Sequence, residues 1–178
     1  PNLTLADRER LQGYLDGSGV AVLPEPQALL TPSARLPGLD GRKMSKSYGN
    51  TIALREEPAA IERKVRTMPT DPARVRRQDP GDPERCPVFD LHRVYSDDST
   101  CSWVRSGCTT AGIGCLDCKA PLIQSIQEEL EPIREKAREL EGNRDQVRRI
   151  MTEGADVARE TARATLADVR RVMGLDYH

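Results

Sequence analysis

Aromatic side chains are nearly missing from this 178-residue chain, which holds one Trp, one Phe and four Tyr. Any core it builds is therefore mostly aliphatic. Histidine occurs only as His92 and His178. No H-E-x-x-H pattern, Ser-His-Asp set or G-x-G-x-x-G fingerprint is present, which removes the usual zinc-protease, triad and dinucleotide-binding readings. No apolar run approaches the ~20 residues of a membrane helix, and no secretory leader pattern occurs. A cytoplasmic protein without a membrane partner is the expectation. The chain opens on Pro1 rather than Met, so we expect it to be part of a longer protein.

Charge is plentiful: 31% of residues are charged, with a net charge of −1. That near-neutrality hides an asymmetry. Arg42 to Arg77 holds ten Lys/Arg against four Asp/Glu, whereas Gln78 to Thr100 holds two against six. The basic block is a candidate for phosphate or RNA contact. At its start stands Lys43-Met44-Ser45-Lys46-Ser47, followed by Gly49. Two lysines three positions apart present point charges to phosphate oxygens. Hydroxyls and loop N–H groups donate hydrogen bonds to the same oxygens. In a loop aimed at leaving pyrophosphate, such charge stabilises what develops in the transition state. A solvated basic loop is the plainer alternative.

Periodicity organises the remainder. Thr4 to Leu15 reads as a short helix capped by Thr4, and Val20 to Leu23 and Gln27 to Leu30 as short buried strands. Thr31 to Gly41 is loop, rich in Pro and Gly. From Pro58, which suits a first helical position, Ile61, Val65 and Met68 repeat at helical spacing. Five prolines from Pro69 to Pro87 predict an irregular stretch. Pro121 is expected to open a long helix with Leu122, Ile123, Ile126, Leu130, Ile133, Ala137 and Leu140 on one stripe. Pro132 predicts a kink or break in it. Asn143 and Gln146 resemble a capping box. It leads to a helix lined by Val147, Ile150 and Met151, and a last helix from about Ala155 to Met173. There Val157, Ala158, Ala162, Leu166, Val169 and Val172 are expected to face a core. The fold class is therefore mainly α. Residues 1–57 read as the end of an α/β unit, and residues 58–178 as all-helical apart from a loop around the cysteines.

Five cysteines without a secretory leader favour metal ligands or free thiols over disulfides. Cys86, Cys108, Cys115 and Cys118 follow C-x21-C-x6-C-x2-C, and glycines among the last three let the backbone wrap tightly. Such a set suits an iron–sulfur cluster, whose sulfurs accept backbone N–H bonds. Four thiolates also suit tetrahedral Zn2+, and buried free thiols remain the plain alternative. Cys101 falls outside the pattern.

With these residues in view, the chain resembles the C-terminal part of bacterial tryptophanyl-tRNA synthetases, class I enzymes, in the variety that carries a 4Fe-4S cluster. The resemblance rests on Leu36 to Gly41, Lys43 to Asn50, Thr67 to Pro72, Asp79 to Pro83 and Gly112 to Lys119, and runs from about Leu5 to Tyr177. It implies a Rossmann-type catalytic remnant over 1–57 and a helical anticodon-binding domain over 58–178. The activity implied is that of a tryptophan–tRNA ligase: ATP with Mg2+ activates tryptophan, which then passes to tRNA(Trp). Lys43 and Lys46 would take the ATP phosphates as catalytic residues. Ser45 and Ser47 would shape the loop, and Met44 would lie near adenine through its backbone. Cys86, Cys108, Cys115 and Cys118 would hold the cluster. Arg85 and Lys119 would contact anticodon phosphate, and the complete protein would be a homodimer. The family's H-x-G-H-like signature and the strands of its tryptophan pocket are absent, so the chain alone is expected to be inactive. A non-catalytic iron–sulfur RNA-binding module is the alternative, and a tyrosyl-tRNA synthetase relative is disfavoured by the Gly-Ile-Gly-Cys segment.

Overall fold

A computed structural model of the chain describes Thr4, Ala6, Arg8, residues 26–30, Ser33 and residues 35–175. From Pro58 on, the described residues form α1 (Pro58–Thr67), α2 (Pro87–Tyr95), α3 (Asp98–Thr109), α4 (Cys115–Glu141) and α5 (Arg144–Val172); 3-10 turns lie at Lys46–Tyr48 and Pro83–Arg85. Among the described residues the only β pairing is an isolated antiparallel bridge between Pro37 and Lys43. Leu30–Gly142 forms one compact unit, and α5 belongs to a second.

Helix α1 starts where the sequence predicts. Pro58 takes the first helical position behind an extended Glu57, where its missing N–H costs nothing. Ile61 and Val65, four apart, are fully buried. Lys64 and Arg66 sit in the last turn, where cations suit the helix dipole. The proline-rich stretch from Pro69 is irregular as expected, with only the 3-10 turn Pro83–Arg85 in it; α2 starts at its last proline, Pro87, and α3 follows. Asp97 caps α3 by accepting from the Thr100 N–H at 2.7 Å, a bond that holds its carboxyl below the usual range.

Helix α4 is the spine, with α1 and α2 packed along it. Ile61, Val65, Met68, Val88, Leu91, Leu122, Ile123, Ile126 and Leu130 make one apolar cluster. Leu36, Leu39 and Ile52 pack onto it from the segment before α1, so the Lys43 to Ser47 segment rises from the same core as the helices. Buried Arg134 ties α4 to the entry of α1 by donating to the Glu56 carbonyl at 3.1 Å, beside its pair with Glu131. Gln127 donates to the Pro58 carbonyl at 2.9 Å.

Several expectations give way. Helix α4 begins at Cys115 rather than Pro121, because the Gly114 N–H bonds Asp117 at 2.9 Å and Cys118 bonds back to the Gly114 carbonyl. Pro121 and Pro132 both lie inside it, and the helix is not broken at either. The last two expected helices are one, α5, which runs through Gly154. Asn143 caps it as the sequence predicts, accepting from the Gln146 N–H at 3.0 Å. None of its residues is buried; Ile150, Met151, Val157, Leu166 and Val172 are exposed. A 3.6-residue stripe says which face is apolar, and not what covers it. Gln27 to Leu30 is no strand, and Leu29 is 100% exposed. The strand expected at Val20 to Leu23 lies outside the described residues. So does most of the helix expected from Thr4, although Arg8 donates to the Thr4 carbonyl at 3.1 Å.

Candidate functional site

The Lys43 to Ser47 segment is built on a tight hairpin. Pro37 pairs with Lys43, the Gly38 N–H bonds the Arg42 carbonyl at 2.6 Å, and the Met44 N–H bonds the Leu36 carbonyl at 2.8 Å. Gly41 closes the turn at φ 78°, a conformation that favours glycine. The chain then takes the 3-10 turn Lys46–Tyr48 and leaves it through Gly49 at φ 65°. Arg42 lies over the Tyr48 ring at 4.9 Å. Met44 and Ser45 are half-buried, while Lys43, Lys46 and Ser47 are exposed. Neither lysine ammonium has a hydrogen-bond or ion-pair partner among the described residues. Two free cations on a pinned loop are ready for an anionic ligand.

Asn50 sits beneath this loop and is 4% exposed. Its amide donates to Asp40 Oδ1 at 2.7 Å and to the Lys43 carbonyl at 3.2 Å, and its Oδ1 accepts the Ser45 N–H at 2.8 Å. Asp40 also accepts from Arg42 Nε at 2.7 Å. The Asn50 amide first, and Arg42 second, hold the Asp40 carboxyl down at about 2.

The four patterned cysteines come from helix ends. Cys86 caps α2, Cys108 closes α3, Cys115 opens α4, and Cys118 lies one turn on. Gly81 comes so close to Cys108 that a Cβ there would meet its sulfur at 2.7 Å. Between α3 and α4 the chain turns through Ala111 at φ 55°, which costs an L-residue about 1–2 kcal/mol. All the thiols are free and half-buried. Burial, then the thiols of Cys86, Cys108 and Cys115, push Cys118 up to about 12. Burial raises Cys108 too, and the Arg74 guanidinium opposes it. Cys101 stands apart; burial first, then the Asp98 and Asp97 carboxylates, push its thiol up, and Arg105 and Arg93 oppose them. His92 is fully buried, its ring shared between Ser96 Oγ at 2.8 Å and the Cys118 carbonyl at 3.1 Å. Among the described residues, no three His, Cys, Asp or Glu side chains converge as ligands of one ion.

Two cations are buried in this corner. Lys119 is 3% exposed, and its ammonium donates to the carbonyls of Arg66 at 2.8 Å and Met68 at 2.7 Å. Burial lowers its pKa. An ammonium held inside in this way is not offered to RNA phosphate, which corrects the contact expected of Lys119; Arg85 is exposed. Arg74 donates to the carbonyls of Arg77 at 2.9 Å and Ile113 at 2.6 Å, and its Nη1 lies 3.9 Å from Cys108 Sγ. Its buried Nε has no partner. Neither cation has a carboxylate within salt-bridge distance, since none of the ion pairs of the described residues includes them. Sequence reading passed over Asn50 and Arg74 as sites. The one signal for them is that Asn50 closes the loop segment and Arg74 stands in the basic block.

Known proteins share this arrangement of loop and helices. The chain is similar to the tryptophan–tRNA ligase of Ralstonia nicotianae, 56% identical over 176 residues, 99% of this chain and 44% of that protein. It is 47% identical over 155 residues to the tryptophan–tRNA ligase of Thermotoga maritima, 86% of this chain and 47% of that protein. The crystal structure of a tryptophanyl-tRNA synthetase from Campylobacter jejuni complexed with ADP and tryptophan matches with a TM-score of 0.68 at 26% identity, covering 93% of this chain and 51% of that one. The chain thus spans about half the length of the relatives it matches. The model of the tRNA synthetases class I (W and Y) matches residues 3–131, and the chain belongs to that family.

Proposed function

We propose that this chain is the C-terminal part of a tryptophan–tRNA ligase and supplies the loop that grips the ATP phosphates. The carrying observation is the pair of free, exposed ammonium groups of Lys43 and Lys46 on a hairpin fixed from below. In the complete enzyme the tryptophan carboxylate attacks the α-phosphate of Mg2+-bound ATP, forming tryptophanyl-adenylate and releasing pyrophosphate. Lys43 and Lys46 neutralise charge as it moves onto the leaving oxygens. Ser45 and Ser47 donate hydrogen bonds, and Met44 presents backbone to the adenine. Transfer of the tryptophanyl group to tRNA(Trp) follows. The boundary between catalytic remnant and helical domain lies near residues 57 and 58, and the helical part is the anticodon side. There exposed Arg85 contacts RNA phosphate. The complete protein works in the cytoplasm as a homodimer.

Tryptophan-dependent ATP–pyrophosphate exchange tests this reading. The complete enzyme is active, and Lys46→Ala lowers kcat by about 100-fold with the KM for tryptophan unchanged. An unchanged kcat refutes the assignment. The 178-residue chain alone gives no exchange. Free lysines on an ordered loop also speak against a purely RNA-binding role, which needs no phosphate grip.

The donor set of Cys86, Cys108, Cys115 and Cys118 fits a 4Fe-4S cluster. Three observations support an anionic, sulfur-ligated group here, and the single Cys-x2-Cys pair favours the cluster over Zn2+. The four thiols act on one another electrostatically. Buried Arg74 and Lys119 lack carboxylate partners, and a buried cation is costly until an anion meets it. Arg74 Nε is a donor in want of an acceptor, and sulfide or thiolate sulfur is one. When bound, the cluster supplies a negative group that joins three helix ends. Iron, sulfide and zinc contents of anaerobically purified chain decide the matter: about four irons and four sulfides per chain are expected, and one zinc overturns the reading.

A further inference from the structure

We infer that Asn50 is the positioning residue of the phosphate loop: its carboxamide clasps the loop so that Lys43 and Lys46 face one incoming phosphate chain. This rests on the phosphate-gripping role proposed above. The 3-10 turn that carries Lys46 buries none of its residues, so apolar packing does not fix its place. Its own backbone adds only the short bonds from Tyr48 to Ser45 and from Gly49 to Lys46. Asn50 supplies what is missing. A carboxamide has two N–H donors and one carbonyl acceptor, and here all three are used on separate parts of the loop. One N–H holds Asp40 in the hairpin turn, the other holds the carbonyl of Lys43, and the oxygen holds the N–H of Ser45. The Asn50 backbone carbonyl accepts the Leu39 N–H at 2.9 Å, which ties both strands of the loop base. The two bonds at Lys43 and Ser45 fix the backbone between the two lysines.

The neighbouring glycine agrees with this role. A Cβ on Gly38 would stand 2.2 Å from Asn50 Nδ2 and 2.8 Å from its backbone carbonyl. Position 38 has no side chain where the amide lies. Asp cannot replace Asn50 in the clasp. It keeps the acceptor for Ser45 but loses both donors, and it sets a second carboxylate against Asp40. A residue that only filled space would tolerate Asp better than Ala. A residue that clasps through its donors would not.

The test uses the 15N-labelled 178-residue chain, with inorganic pyrophosphate as probe and the amide signals of Lys43 to Ser47 as readout. Wild type shows saturable shifts that Lys43→Ala and Lys46→Ala remove. Asn50→Ala weakens pyrophosphate binding about tenfold and speeds hydrogen exchange at Ser45. Asn50→Asp weakens binding more than Asn50→Ala, and both leave the thermal melt of the helices unchanged. If Asn50→Ala lowers that melt, Gly38→Ala decides instead, since it displaces the amide without removing it, and the same loss of binding is expected. Pyrophosphate affinity within twofold of wild type in the Asn50 variants, or Asp ranking above Ala, overturns the inference and leaves the loop's role standing. No pyrophosphate shift in wild type overturns the loop's role and this inference together.

Discussion

Lys119→Met is the most informative single change in the cysteine corner. Methionine keeps the length and most of the apolar stem of lysine and removes the charge. Two charge-assisted bonds disappear, to the carbonyls of Arg66 and Met68 at 2.8 and 2.7 Å. Each such bond is worth about 1.5–3 kcal/mol, which puts the loss at roughly 3–6 kcal/mol. Against this stands relief of the penalty for burying an ammonium with no carboxylate beside it, several kcal/mol per ion. In the metal-free chain the two terms nearly cancel, and the change in stability stays within about 1–2 kcal/mol. Loading the four cysteines with a negative group alters the balance. A nearby unit negative charge at an effective dielectric of about 20 adds on the order of 3 kcal/mol of attraction, which methionine forfeits. Urea unfolding followed by far-UV circular dichroism, on metal-free and on iron- and sulfide-reconstituted chain, measures both values. The destabilisation in the loaded form should exceed that in the metal-free form by about 3 kcal/mol. Equal values in the two forms would refute the argument that Lys119 answers the charge of the sulfur group.

Acid should loosen the phosphate loop before the helices. The Asn50 amide and Arg42 hold the Asp40 carboxyl down at about 2, below the usual carboxylate range, so the stability it lends is present above about pH 4. That stability is lost as pH falls from about 4 through 2, and Ser45 amide protection should fall over that window; protection unchanged down to pH 2 would break the link between Asp40, Asn50 and the loop. Ile126→Ala opens a void in the shared core where α4 meets α1 and α2, and should cost about 2–5 kcal/mol in urea unfolding. Gly81→Ala drives a Cβ against Cys108 Sγ and should lower iron uptake on reconstitution while leaving the α1 end of the core intact; wild-type iron content would show that the sulfur moves aside freely.

Part of this structure could be read from the letters and part could not. The loop from Lys43 to Ser47 and the stripe Ile61, Val65 and Met68 were legible because each depends on neighbours in sequence. The Asn143 cap was legible for the same reason, since its partner Gln146 is three residues on. The start of α4 was not. Proline favours a first helical turn, which made Pro121 look like the opening, but Gly114 and Asp117 cap a helix that starts at Cys115, six residues earlier. The stripe of α5 was legible as an apolar face and misread as core, because burial depends on a partner that the stripe does not name. Lys119 next to Cys118 looked like a surface cation; its ammonium turns inward onto carbonyls more than fifty residues upstream. Asn50 and Arg74 matter through several bonds to residues that the sequence alone does not bring together.

Leu36, Leu39 and Ile52 rest on the same apolar cluster as α1, α2 and α4. The hairpin base and the helices beneath it are joined by side-chain packing. A tilt of α4 would therefore reach the hairpin base through packing, and the two lysines only through the hydrogen bonds that Asn50 makes above it.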